Sequence, residues 1–303
     1  MKIPIKMLLF ITLGFTSCDL FKSVTPKEQE TGRPAEFSNQ PVVYTLPAHY
    51  VNEASGLVPS KNINGYLWTH QDSGNSPHLY LLSYNAEELH TVQLPGAQNI
   101  DWEDIASGPG PDESKHYLYI GDIGNNFGRT SRNLVIYRIP ELTSIQQSFS
   151  GENLEKITFN YPDGPKDAET LILDPVTKDL FIISKELNGS RIYRLPYPQS
   201  TQETMIAEHV GSIPGVIVAT AGDISFDGAE ILIKNYGAVF YWTRKNGESV
   251  GEVLQRRADK SLPYQLEQQG EAVCFDTQAN GYYTLGEKTS ETQVNLYYYP
   301  RLQ

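Results

Sequence analysis

Apolar residues in this chain come in short runs broken by Gly, Pro, Asn and Asp, and no long stretch shows the three-to-four-residue spacing of an amphipathic helix. Tyr66-Leu-Trp-Thr-His70, Tyr117-Leu-Tyr-Ile120, Leu180-Phe-Ile-Ile183, Ile231-Leu-Ile233 and Tyr282-Tyr-Thr-Leu285 are β-branched or aromatic and read as strands. They are apolar on both sides, which predicts strands covered on both faces. A second set pairs an apolar residue with Tyr: Leu79-Tyr80, Ile136-Tyr137, Ile192-Tyr193, Phe240-Tyr241 and Leu296-Tyr297. A third set places an acid at the head of a short apolar run: Glu53-Ala-Ser-Gly-Leu57, Glu103-Asp-Ile105, Glu169-Thr-Leu-Ile172, Asp223-Ile-Ser-Phe226 and Glu271-Ala-Val-Cys-Phe275.

The three sets recur in the same order, about 50 to 65 residues apart, so one supersecondary unit is repeated. The pattern predicts an all-β chain folded as a single five-bladed β-propeller, each blade running from an inner strand a to an outer strand d. Outer strands are expected at Leu89 to Leu94, Lys156 to Tyr161, Met205 to Val210 and Val250 to Leu254. The fifth unit leaves no room for one before Gln303, whereas Val42-Val-Tyr-Thr-Leu46 is an orphan strand upstream of the first. It is expected to complete the last blade and close the ring, removing exposed edges. A six-bladed alternative would need a unit within Gly247 to Gln269, which is too polar.

Composition agrees: 303 residues, 39% hydrophobic and 20% charged, with 19 Tyr, describe a globular, strand-rich chain. The formal charge of −12 and the lack of a basic stripe argue against a nucleic-acid partner. Lys2 and Lys6 precede the apolar run Met7 to Phe15, which is too short to span a bilayer and reads as residues 1–17 of a signal peptide ahead of Cys18. This segment resembles a bacterial lipoprotein signal whose Ser-Cys ending is similar to the variant common in Bacteroidetes. The resemblance implies lipidation of Cys18, a membrane partner through that anchor, and location in the cell envelope, at the outer membrane. Residues 18–40 are polar and breaker-rich, a tether to a propeller domain over 41–303. A monomer is expected. Cys274 has no remaining cysteine to pair with and reads as a small buried hydrophobe.

In a propeller the start of strand a and the end of strand b emerge on one face. At the starts lie Glu53 or Ser55, Glu103, Glu169, Gly222 or Asp223, and Glu271; the alternatives in the first and fourth units depend on which apolar neighbour is matched. At the ends lie Asp72-Ser-Gly74, Asp122-Ile-Gly-Asn-Asn126, Lys185-Glu186, Lys234-Asn-Tyr236 and Glu287-Lys288. Converging carboxylates must be partly protonated or share a cation, and hard oxygen ligands suit Ca²⁺ better than Zn²⁺. The metal candidates are therefore Glu53, Ser55, Glu103, Glu169, Asp223 and Glu271. Asp72 and Asp122 are candidate general bases, and Lys185 and Lys234 candidate anion-binding cations. His70 alternates with Trp68 and reads as packed. There is no phosphate-binding Gly-Lys-Ser/Thr loop, no His-Glu-x-x-His and no cysteine pair.

The string Glu53-Ala-Ser-Gly-Leu57, Trp68-Thr-His-Gln-Asp-Ser-Gly-Asn75, Asp101-Trp-Glu-Asp-Ile105, Tyr119-Ile-Gly-Asp-Ile-Gly-Asn-Asn126, Tyr161-Pro-Asp-Gly164, Asp167-Ala-Glu169 and Gly222-Asp-Ile-Ser225 resembles a family of uncharacterised bacterial secreted or lipid-anchored propellers. It is more distantly similar to the calcium-activated nucleotidases (apyrases), five-bladed propellers with calcium in the channel. That likeness implies channel ligands at Ser55, Glu103, Glu169, the Gly222-Asp223 position and Glu271. It departs where that family's Asp-Asp-Arg-Thr-Gly motif is replaced by Gln71-Asp-Ser-Gly74, without the arginine.

Two functions follow as expectations. One is an envelope-anchored scaffold with a central Ca²⁺ and a top face for a small-molecule, glycan or protein ligand. The other is a Ca²⁺-dependent hydrolase of phosphoesters or related anions.

Overall fold

The computed structural model describes residues 35–47, 50–125, 128, 133–288 and 293–302; Cys18, the rest of segment 1–34, and Asn126 lie outside the described residues. The chain is a five-bladed β-propeller with almost no helix. Strand β1 (Val42–Thr45) comes first. Blade 1 holds β2 (Ala54–Pro59), β3 (Tyr66–Gln71), β4 (His78–Ser83) and β5 (Leu89–Gln93). Blade 2 holds β6 (Trp102–Pro109), β7 (His116–Asp122), β8 (Leu134–Pro140) and β9 (Glu155–Asn160). Blade 3 holds β10 (Ala168–Leu173), β11 (Leu180–Ser184) and β12 (Arg191–Leu195), followed by β13 (Met205–Ile206) and β14 (Glu208–Ser212). Blade 4 holds β15 (Ala219–Ile224), β16 (Glu230–Asn235) and β17 (Val239–Thr243), then α1 (Val250–Leu254) and β18 (Lys260–Leu262). Blade 5 holds β19 (Gly270–Phe275), β20 (Gly281–Gly286) and β21 (Asn295–Pro300).

The orphan strand closes the ring as its position suggested. β1 pairs antiparallel with β21, Val42 opposite Tyr298 and Thr45 opposite Asn295. Just before it, Phe37, within the segment read as tether, is buried between blades 4 and 5. Its ring meets Tyr282 at 5.1 Å and Tyr241 at 6.1 Å, with Arg301 stacked 4.8 Å away.

Two outer-strand expectations are corrected. Val250–Leu254 is a helix, because Ser249 and Glu252 form a reciprocal capping box that satisfies the first-turn N–H groups. Val250, Val253 and Leu254 then share one face and bury it against blades 3 and 4, and β18 supplies the outer strand. The run expected as one strand at Met205 to Val210 is divided. β13 pairs parallel with β9 of blade 2, and β14 pairs with β12 of its own blade.

The core is not central. Buried apolar side chains form five clusters, one at each interface between neighbouring blades. Alternation along β7 shows why: Leu118 and Ile120 pack toward blade 1, while Tyr117 and Tyr119 pack toward blade 3. This accounts for strands that are apolar on both sides. The innermost strands, packed against one another around the axis, are left with their polar backbone edges facing the channel.

Phe37→Ala removes the ring that joins the amino-terminal strand to the blade 4–5 cluster. A loss of about 3–5 kcal/mol in chemical denaturation is expected, as for buried Phe truncations generally. A loss below 1 kcal/mol would show that this residue is not part of the closure.

Candidate metal centre

Each inner strand carries a β-bulge near its start, where one residue is skipped in the register with strand b. The skipped residues are Glu103, Glu169, Thr220 and Glu271 in blades 2 to 5. Bulges re-aim side chains, and here the same geometry turns each of these toward one end of the channel. The fourth position is therefore Thr220, neither Gly222 nor Asp223. Asp223 lies three residues further along β15, and its carboxylate accepts from the Phe275 N–H of blade 5 at 2.8 Å. In blade 1 Ser55 occupies the inner strand and donates to the Glu103 carbonyl oxygen. Glu53 precedes that strand, is exposed, and accepts from Asn75 Nδ2 at 2.6 Å.

The residue skipped in blade 1 is Gly56 and in blade 4 Thr220, so neither blade places an acid at its bulge as blades 2, 3 and 5 do. Asp72, just beyond β3, supplies the carboxylate missing from blade 1. Its carboxylate belongs to two groups whose ligand atoms lie within 4.8 Å of one another: Asp72 with Asp101 and Glu103, and Asp72 with Glu271 and Glu287. Asp72 therefore bridges the acids of blades 2 and 5.

The strand ends repeat as well. The backbone N–H groups of Asp72, Gly124, Lys185 and Glu287 donate to the carbonyls of Glu53, Asp101, Asp167 and Gln269, at 2.9 to 3.2 Å. Those four acceptors each lie two residues before the inner-strand position, so the side chains two apart share a face. Asp101 and Asp167 join the site by this rule, and the Asp-x-Glu spacing in Asp101-Trp-Glu103 and Asp167-Ala-Glu169 was its signal in the sequence. At the equivalent of Asp72, blade 2 has Gly124. A Cβ there would overlap Glu103 Oε1 and lie 2.8 Å from Asp101 Cγ, so glycine makes the space these carboxylates occupy.

Burial and mutual repulsion dominate the electrostatics. Glu103 and Glu169 are 1% and 3% exposed, and Glu103 Oε1 and Glu169 Oε2 have no hydrogen-bond partner. Burial, then the charge of Glu169 and of Asp72, pushes Glu103 well above the usual carboxylate range. Burial likewise raises Glu169, although Lys185 Nζ bonds its Oε1 and opposes the rise. Burial and the nearby Glu271 and Asp101 lift Asp72 to about 6, against the backbone N–H of Ser73. Burial and Glu271 lift Glu287 to about 8. Tyr236, from the loop after β16, closes the ring: its hydroxyl donates to Glu271 Oε1 at 2.7 Å, and its ring lies 5.2 Å from Lys185 Nζ.

Other sequence candidates have different surroundings. Asp122 is fully buried, and its Oδ1 accepts from the Asp101 N–H at 2.9 Å. Lys234 is also fully buried. It donates to the Gly270 carbonyl, lies 3.8 Å from Glu267 and 4.6 Å from the Tyr264 ring, and burial lowers it to about 8. Its ammonium is enclosed by protein and faces no solvent-borne anion. His70 is buried edge-on to Trp102 at 5.6 Å, and burial holds it neutral, down to about 4. Cys274 is buried and free.

A carboxylate group of this kind, with Glu103 Oε1 and Glu169 Oε2 unpartnered and Lys185 the cation bonded to it among the described residues, has the donor set of a hard divalent cation. Zinc would call for nitrogen or sulfur ligands, and the two groups contain only carboxylates.

No family model and no curated protein matches the sequence. Solved structures show a loose likeness in fold. A regucalcin, a calcium-binding protein from Agrobacterium tumefaciens strain C58, aligns at a TM-score of 0.48 and 11% identity, over 86% of this chain and 94% of that one. A chain of a nidogen/laminin complex aligns at 0.46 and 11%, over 78% and 73%. A functionally unknown protein from Desulfotomaculum acetoxidans DSM 771 aligns at 0.42 and 12%, over 80% and 65%. At this distance no ligand or activity transfers from them.

The raised carboxyls set a pH dependence for the metal-free protein. Each stays protonated in the fold over a range where the unfolded chain is already ionised, so stability falls as pH climbs between the two values. For Asp72 and Glu287 that range runs from their ordinary 3.8 and 4.5 up to about 6 and about 8. Thermal midpoints measured in chelator should decline steadily from pH 5 to pH 8. A flat or rising profile would mean that the acids are not crowded.

Proposed function

We propose that this chain is a lipid-anchored envelope protein whose channel mouth binds Ca²⁺, with the surrounding face serving as a ligand-binding scaffold. The observation that carries the reading is the position of Asp72. It joins two acidic groups from blades 1, 2 and 5 around buried, unpartnered carboxylate oxygen. A divalent ion there relieves repulsion that protonation otherwise has to relieve. It also cross-links neighbouring blades at the axis. The scaffold role is favoured over catalysis because the general-base and anion-binding candidates Asp122 and Lys234 are fully buried. Asp72 and Lys185, both partly exposed, are the groups that a hydrolase acting on phosphoesters would use.

Calcium titration by calorimetry, with thermal unfolding in parallel, tests the site. Binding should raise stability by about 2.7 kcal/mol at a hundredfold excess over Kd. Asp72→Asn and Gly124→Ala should each weaken affinity at least about tenfold, the first by removing the bridging charge and the second by displacing Glu103. Unchanged stability on adding or chelating calcium would end the reading. Turnover of phosphoesters that chelator and Asp72→Asn both abolish would convert the scaffold into the hydrolase.

The anchor is tested separately. Cys18→Ser should move the protein from the membrane to the soluble fraction and abolish incorporation of labelled palmitate. Retention in the membrane would show that lipid on Cys18 is not the anchor. Among the described residues no helix is long and apolar enough to cross a membrane.

A further inference from the structure

The acids at the mouth gather into two groups rather than one. Asp72, Asp101 and Glu103 offer ligand atoms within 4.8 Å of one another, and so do Asp72, Glu271 and Glu287. Among the described residues the two groups have only Asp72 in common. Calcium holds its oxygens at about 2.3–2.6 Å, so two ligands of one ion stand at most about 4.6–5.2 Å apart. Carboxylates that met this limit together would form a single group. One ion therefore reaches one group and leaves the acids of the other uncompensated beside it.

The group on blade 2 is enclosed. Asp101 and Glu103 are each 1% exposed, and Glu103 Oε1 has no hydrogen-bond partner. Its direction is fixed by the space at Gly124. The position that a Cβ would take there lies 1.9 Å from Oε1, 2.7 Å from the Glu103 carboxyl carbon and 2.8 Å from Asp101 Cγ. The free oxygen is thus the part of that carboxyl group turned toward Asp101, into the group itself. Glu169 Oε2 is buried and unpartnered as well, and among the neighbouring charges that of Glu169 acts on Glu103 most strongly.

The group on blade 5 is open. Glu271 lies in β19, with Oε1 held by the Tyr236 hydroxyl at 2.7 Å. Glu287, just past β20, is half-buried and lines a cavity of about 260 Å³ together with Leu266, Gln268, Asn295 and Tyr297. Calcium takes about six to eight oxygens, so an ion held there by three carboxylates has further positions to fill from the cavity side. Asp72 can serve both groups, because paired cations in two-metal sites stand only about 3.5–4 Å apart.

We propose that the mouth holds two divalent cations bridged by Asp72: an enclosed ion on Asp101 and Glu103, and an open ion on Glu271 and Glu287 whose remaining positions face the cavity. This rests on the calcium reading and goes beyond it in number and in role, since the open ion is the one that a ligand of this face touches.

The full chain, stripped with chelator, is titrated with CaCl₂ by calorimetry, and a second sample is loaded with an equimolar mixture of Tb³⁺ and Eu³⁺. Two equivalents of calcium are expected, together with energy transfer between the lanthanides that shortens the Tb³⁺ luminescence lifetime. Asp101→Asn and Glu287→Gln should each leave one equivalent. One equivalent on the unsubstituted chain, with calcium still raising its stability, overturns the second ion and leaves the calcium reading standing; no binding at all ends both. Two equivalents without energy transfer, or two that survive both substitutions, also overturn the proposal. Stoichiometry and transfer are read on the unsubstituted chain, so neither depends on how a variant folds.

Discussion

Five edge strands meeting at an axis create the constraint on which the rest of this structure depends. The inner strand of each blade pairs on one side only, so its other row of N–H and C=O groups faces the channel and must be satisfied there. Asp104 answers part of that demand in three blades. It is fully buried, and its carboxylate accepts from the N–H groups of Ile105 in its own strand, of Leu171 in blade 3 at 2.9 Å and of Gly222 in blade 4 at 3.2 Å. Asp223 does the same on a smaller scale with Phe275. The hydroxyls of Ser55 and Thr220 work in the opposite sense, donating to the carbonyls of Glu103 and Gly270 in the following blade. Burying these carboxylates is unfavourable, and the backbone donors that converge on them offset the cost.

This solution separates two kinds of acid that look alike in the chain. Glu103 and Asp104 are consecutive, yet one faces the channel mouth and the other the interior, since neighbours in a strand point to opposite sides. Asp104 is fully supplied with donors and holds strands together. At the mouth, by contrast, Glu103 Oε1 and Glu169 Oε2 accept from no donor, and the acids clustered around Asp72 have a donor set that fits a hard cation. The acids inside the channel and those at its mouth thus differ in what points at them, not in residue type.

Close approach at the axis also explains the small residues around it. Gly56, with φ of +75°, lets the backbone of blade 1 lie against that of blade 2, where a Cβ would come within 2.8 Å of the Ile105 nitrogen and of His70 Nε2. Gly124 performs the same service one tier higher for the Glu103 carboxylate. The interfaces outside the axis are ordinary apolar packing, so the blades are held by five separate cores while the centre is polar.

The five-fold architecture, the closure by Val42 to Thr45 and most strand positions were legible in the sequence. They rest on local pattern: strands covered on both faces must be apolar on both sides, and each repeat carries the same order of signals. Glu103, Glu169 and Glu271 were legible for the same reason. Thr220 was hidden because its strand begins in small residues, Ala219 to Gly222, and the conspicuous Asp223 drew the alignment three residues along. Val250 to Leu254 was misread because an apolar run so short fits strand and helix equally, and the capping pair Ser249 and Glu252 decides between them. Tertiary structure alone settled that Asp72 bridges two blades and that Asp122 and Lys234 are enclosed. Each of these depends on which atoms of distant segments converge, and a one-dimensional pattern carries no such distances.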